Sequence, residues 1–350
     1  MIDELHSQGY HARKPVTDFG RMPVMTARIQ HTVPQWYMKN WGDEKDRVVF
    51  SRNGEAHGPT NPKNILAKRD FYESPVLTVQ DIAILSTFVA EHVKSENARP
   101  MAEAILEGAL FHSTLKTLVL PSPHLSEDEK KLLSGALKGH EERRLSKSED
   151  RAKDVVDRLL EGDADVLLDS KSALNFFEFL GDMKFRGRGT RAQIAQLGSL
   201  SEGGAAILAG IVGANMTCVH FLDRLGHPVT ILRNETDRRF VTSDNPVVNI
   251  LGPQEERVPD DDEYALYFPL SPSRALIVPP WKQRFTSETA TEELVASLNA
   301  WIASNAHETL IAQRREDLTA ALKNTGAPPP MRIWFEQCSS GWRPRVQRTS

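Results

Sequence analysis

Cysteine is nearly missing from this chain of 350 residues, which holds two, Cys218 and Cys338, far apart in sequence. So sparse a pair excludes a disulfide-dense secreted scaffold and a four-cysteine zinc site. Charge imbalance is missing as well. The formal net charge is −4, which gives no global basic signal for nucleic acid and leaves only a local patch open. Long hydrophobic runs are scarce: the longest, Ala205 to Leu222, is broken by glycines, Asn215 and His220. It reads as a buried core helix rather than a membrane span. The opening residues, MIDELHSQGYHARKP, lack the apolar core of a signal peptide. A soluble, cytoplasmic protein without a membrane partner is the expectation. Common catalytic signatures are absent too. GGAAILAG lacks the Lys-Ser/Thr ending of a phosphate loop, and His307-Glu308 lacks the second histidine of a zinc-protease helix.

What is present is an ordinary globular composition, 40% apolar and 26% charged, compatible with a sizeable core. Residues 1–20 read as a loose polar lead-in, 21–323 as a single domain, and 324–350 as a tail in which MRIWFEQC adds one strand. Pro34 to Trp41 predicts a short helix, because proline suits a first helical turn. Arg47 to Phe50 predicts a strand followed by an Asn53-Gly54 turn, with NPKNILAKRDFY as a loop. Ile82, Leu85, Phe88, Val89, His92 and Val93 share one helical face, and a second helix is expected from Met101 to about Leu118. The charged stretch near 124–162 predicts amphipathic helices, read as an excursion from the domain. Helical patterning returns from Ser172 to about Leu225, pausing at FRGRGTR. The β-branched segments PVTILR and RRFVTS, split by Asn234-Glu235-Thr236-Asp237, predict a hairpin. YALYFPLSP and RALIVPP add strands beyond an acidic loop (Val258 to Glu263), and Thr289 to Leu322 predicts one helix. Helices first and strands later give an α+β fold, helix-rich, with a small, mainly antiparallel sheet in the C-terminal half.

Two phrases stand out, Gln30-His31-Thr32-Val33-Pro34-Gln35-Trp36-Tyr37-Met38-Lys39-Asn40-Trp41 and Phe240-Val241-Thr242-Ser243-Asp244-Asn245-Pro246-Val247. Together with Asn61-Pro62-Lys63-Asn64, Asp70-Phe71-Tyr72, Arg99-Pro100, Phe268-Pro269-Leu270-Ser271-Pro272 and Asn299, they resemble, in order, a prokaryotic family. It is known as domain of unknown function four-two-three-eight. The family carries a histidine where Gln30 stands, and an acidic helix expected before Arg99-Pro100 is shortened or absent. No role that needs either feature is carried over. The resemblance implies no established activity.

The candidate chemistry sits on a few side chains. His31, held before a rigid Val-Pro turn, suits proton transfer or metal ligation, or a carbonyl hydrogen bond that locks the turn. Asp244, at a strand end, suits a metal ligand or general base, yet Ser-Asp-Asn-Pro also builds turns whose carboxylate caps backbone amides. Arg99 would clamp phosphate or tie down a helix end. Tyr37, Asn245, Arg186 and Arg188 complete the candidate binding set, the arginines within the basic run 184–191. Two functions stay open. One is a hydrolase of phosphodiesters or nucleotides, nuclease-like, with a divalent metal as candidate cofactor on His31 and Asp244. The other is a non-catalytic binding or regulatory protein in which these residues are structural.

Overall fold

In a computed structural model, residues 29–69, 71–221, 229–252, 264–280, 283–323, 328 and 331–337 are described. The lead-in at 1–20 and the acidic loop at 258–263 lie outside them. The chain begins with β1 (Ile29–His31), α1 (Gln35–Met38), a 3-10 turn (Lys39–Trp41), β2 (Val48–Arg52), β3 (Glu55–Thr60) and β4 (Ala67–Arg69). Six helices follow: α2 (Val79–His92), α3 (Ala98–Thr114), α4 (Glu127–Glu161), α5 (Ser170–Phe185), α6 (Arg188–Gly198) and α7 (Glu202–Phe221). The last third holds β5 (Thr230–Arg233), β6 (Thr242–Ser243), β7 (Val248–Asn249), β8 (Leu266–Ser271), β9 (Arg274–Val278) and β10 (Gln283–Phe285). It closes with α8 (Glu292–Asn305), β11 (Thr309–Ala312), α9 (Arg315–Lys323) and β12 (Phe335–Gln337).

Two four-stranded sheets carry the β structure, in orders β3-β2-β11-β6 and β5-β9-β8-β7, with β1-β4 and β10-β12 as separate pairs. All of these ladders are antiparallel. The fold is α+β, as expected, but the N-terminal strands β2 and β3 share a sheet with C-terminal β11 and β6. Two local expectations are corrected. PVTILR and RRFVTS are not a hairpin: β5 pairs with β9, and β6 with β11. Nor is 289–322 one helix. Thr309–Ala312 is a buried strand between α8 and α9, because four consecutive buried residues satisfy a central strand as well as a helix turn. The segment around NPKNILAKR, expected as a loop, contains β4, while MRIWFEQC does supply the short strand β12.

The charged segment at 124–162 folds into a single 35-residue helix, α4. Ser126 and Glu129 close a capping box at its start, and Gly162, at φ 95°, ends it. The stripe containing Ala152, Val155, Val156 and Leu159 enters the core with Phe176 and Phe179 of α5, while Glu142, Arg144 and Glu149 reach partners on neighbouring segments. Asp81 ties two helix starts together. It closes a capping box with Thr78 and accepts from the Ser201 amide (2.9 Å) and hydroxyl (2.7 Å) at the head of α7. Burial pushes its carboxyl up, but the bonds from Ser201 and Thr78 outweigh burial and hold it below the usual range. Helix α7 is long and apolar enough to cross a membrane by length and composition, and half of it is buried here. Its glycines permit close packing: a Cβ on Gly181 of α5 would stand 2.7 Å from the Gly213 carbonyl of α7.

Candidate functional site

The His-x-Val-Pro turn is a junction. A carbonyl can only accept, so His31 donates from Nε2 to Lys63 (3.2 Å), leaving Nδ1 to accept from Gln35 (3.2 Å). Gln30 is buried, donating to Glu142 of α4 (2.9 Å) and accepting from the Tyr72 amide (2.8 Å). Arg186, at the end of α5, donates to the Thr32 carbonyl (2.8 Å) and pairs with Glu149 (2.6 Å). The aromatic helix that follows clips onto the strands. Tyr37 stacks on Phe268, donates to the Pro269 carbonyl (2.7 Å) and bonds the Thr242 hydroxyl (2.8 Å). Trp41 donates to the Phe240 carbonyl (2.9 Å). The two family-like phrases are therefore bonded to each other, through Tyr37–Thr242 and Trp41–Phe240.

Asp244 lies at the far end of that strand with its carboxylate occupied. It accepts from the amides of His307 (2.8 Å), Glu308 (2.8 Å) and Thr309 (3.1 Å), and so fixes the loop that enters β11. Burial raises its pKa, opposed by those three bonds. Asn245 donates to the Asn305 carbonyl (3.1 Å). Arg188 reaches Glu308 at 3.3 Å, and the backbone of Gly187 passes the Asp244 carbonyl so closely that a Cβ would stand 3.3 Å from it. The basic run thus lies between the two motif turns, with Arg186 serving the first and Arg188 the second. Lys184 donates to the Val247 carbonyl (2.9 Å), and burial lowers its pKa to about 8. Arg99 turns back onto the end of α2, donating to the carbonyls of Val93 (2.9 Å), Val89 and Ala90 (both 3.4 Å).

Two cavities flank α4. The first, about 830 Å³, is a cleft lined by His31, Gln35, Lys39, Glu142, Glu149, Lys153 and Asp157 among others. Asp244 is not on its wall, so the structure does not bring the two leading candidates into one cleft. Its acids outnumber its lysines. The second, a chamber of about 390 Å³, has walls of small and apolar residues, Ala104, Ile105 and Gly108 from α3 and Ile207, Gly210 and Ala214 from α7. Its polar end carries His112, His140, Glu141, Arg144, Asp182 and Arg191. Arg144 pairs with Glu141 (2.9 Å) and Asp182 (2.8 Å), and despite burial these carboxylates hold its pKa above the ordinary value. Among the described residues, no group of three or more His, Cys, Asp or Glu is arranged to hold a metal ion.

Sequence patterning singles out the run at 184–191 but points to Arg186 and Arg188 within it, missing Arg191. The guanidinium of Arg191 lies over the rings of Phe71 (4.9 Å) and Tyr72 (5.4 Å), partners so distant in sequence that no local pattern joins them. His112 and His140, with ring centroids 4.5 Å apart, are likewise unmarked by any motif. Burial, then the neighbouring His140, pushes the His112 pKa down.

Neither the curated proteins nor the solved structures supply a match to this chain. A family model does match it, over residues 29–205 and 209–316, which include the clasp between the two phrases, the Asp244 turn and the cavity walls apart from Ala206 and Ile207. The chain belongs to the family described as protein of unknown function (DUF4238).

Proposed function

We propose that this protein is a non-catalytic ligand-binding or regulatory protein, in which His31 and Asp244 fasten the fold and a ligand occupies the helical chamber. One observation carries the reading: the Asp244 carboxylate is engaged by three successive backbone amides. A carboxylate that satisfies three amides would expose all of them on leaving to accept a proton or hold a metal. His31 supports the same reading, because both ring nitrogens have partners in the turn.

The second reading, a nuclease-like hydrolase of phosphodiesters or nucleotides, is favoured by the placement of His31 on the wall of the larger cleft beside Glu142, Glu149 and Asp157. His31→Ala and Asp244→Asn separate the two. Thermal melts of both should show lowered melting temperatures, and a thermal-shift panel of small molecules should give stabilising ligands that neither substitution removes at temperatures where the variants are folded. An unchanged melt combined with loss of a wild-type activity on bis-nitrophenyl phosphate or a nucleotide would overturn the binding reading in favour of hydrolysis.

A further inference from the structure

We propose that the chamber between α3 and α7 binds a small amphipathic monocarboxylate, its apolar tail against the two helices and its carboxylate on Arg191. The inference rests on the binding reading above and names the chemical class of the ligand.

At the polar end of the chamber, charge is almost completely paired. Each acid there has an ion pair, Glu178 with Arg151 (2.7 Å) and Glu73 with Lys116 (2.6 Å). Glu141 and Asp182 share the single cation Arg144, and Glu141 also feels the charge of Arg191. Arg191 differs from these cations in having no direct contact with an acid among the described residues. Its Nε is wholly buried with no hydrogen-bond partner, and among the described residues the guanidinium has no ion pair. Cation–π contact with Phe71 and Tyr72 holds the plane in place without engaging any of its N–H donors. A positioned guanidinium with open donors is matched by a carboxylate, which accepts two parallel bonds. A buried donor left unpaired is costly, so an occupant that supplies the acceptor is favoured.

The remainder of the chamber selects the tail behind the carboxylate. Gly108 and Gly210 remove side chains from the walls, and a Cβ on Gly108 would meet nothing within 4 Å. The volume, about 390 Å³, falls in the small-molecule range of about 300–1,000 Å³. The α3 and α7 walls offer apolar area, and the other lining arginine, Arg144, is already held by two acids, which suits a single anionic head and an apolar tail better than a nucleotide with several charges.

Calorimetric titration of the full chain with octanoate and with 1-octanol tests the proposal. Octanoate should bind about tenfold or more tighter than octanol, the ratio expected of a charge-assisted pair. Arg191→Gln should bring octanoate down to the affinity of octanol, and Arg191→Lys should restore part of the difference. Gly210→Phe, whose new Cβ meets only Ile105 at 3.8 Å, should fill the chamber and abolish binding of both. Equal affinity of the wild type for the two ligands overturns the proposal. So does an Arg191→Gln protein that melts normally and binds octanoate as before. In the first case the binding reading survives with a neutral ligand, and in the second with a head group held elsewhere in the chamber. Failure of octanoate, octanol and every member of the thermal-shift panel overturns that reading as well.

Discussion

The strand-end turn at Asp244 and the helical chamber at Arg191 use polar side chains in opposite ways. At the turn, one carboxylate is matched by three backbone amides, so the groups present complete one another. In the chamber, pairing runs between side chains on different helices, and one guanidinium is left over on two aromatic rings. The same contrast appears within a single basic run. Arg186 is buried and fully engaged by Glu149 and the Thr32 carbonyl, whereas Arg191, on the next helix, keeps its donors. Equal charge and near-equal position therefore do not imply equal duty. What separates the two arginines is whether the fold already supplies their acceptor.

The largest expected effect comes from Arg186→Met. Removing it leaves Glu149 without its cation at the edge of the cleft and should cost about 3–5 kcal/mol, read by urea unfolding. A loss below about 1 kcal/mol would mean the pair contributes no more than an exposed one and would dissolve the contrast. Asp244→Ala comes next. It strips the acceptor from three amides, at about 1–3 kcal/mol for each one left dry. Since His307 is exposed, water repairs part of the loss, and about 2–4 kcal/mol is expected by the same measurement.

Lys184 sharpens the comparison through pH. Its folded pKa, about 8, lies below the 10.5 of an ordinary lysine, so between those values the unfolded chain binds more protons than the folded one. Stability from this group therefore rises with pH across that window. The buried Tyr37 and Tyr267, whose pKa values burial raises well above 10.0, act oppositely at the alkaline end, where the folded state retains protons. Lys184→Met should flatten the rise above pH 8 in a series of melts, and an unaltered slope would show that the amine is solvated. The smallest effect is expected of Arg191→Met. With no ion pair to break among the described residues, stability should change by less than about 1 kcal/mol, the range of a partly exposed cation–π contact. A loss as large as that of Arg186→Met would reveal an acceptor within the fold.

Much of the helical half was legible because its signals are local. Thr78 and Ser126 each begin a capping box, Gly162 ends α4 at positive φ, and the stripe through Leu85 and Val89 has helical spacing. Strand partnership was not legible, because it is decided at long range. The residues of β5 and β6 look like a hairpin locally, yet their partners β9 and β11 come later in the chain. Thr309 to Ala312 has no polar alternation to mark it as a strand, since all four residues are buried. The site was legible only in part. Ser-Asp-Asn-Pro points Asp244 to the amides of its own turn, yet the amides it caps are those of His307, Glu308 and Thr309. The placement of Arg191 depends on Phe71 and Tyr72, which no local pattern links to it.

Tyr72 lies on the walls of both cavities. Its amide donates to Gln30, its hydroxyl reaches the His31 carbonyl at 3.3 Å, and its ring carries Arg191. A single aromatic ring is thus a partition between two compartments of unlike character, one polar and acidic, the other walled by apolar helix faces with a charged end. The molecule's interior plumbing depends on that ring: shortened to a methyl group, it would turn a wall into a doorway.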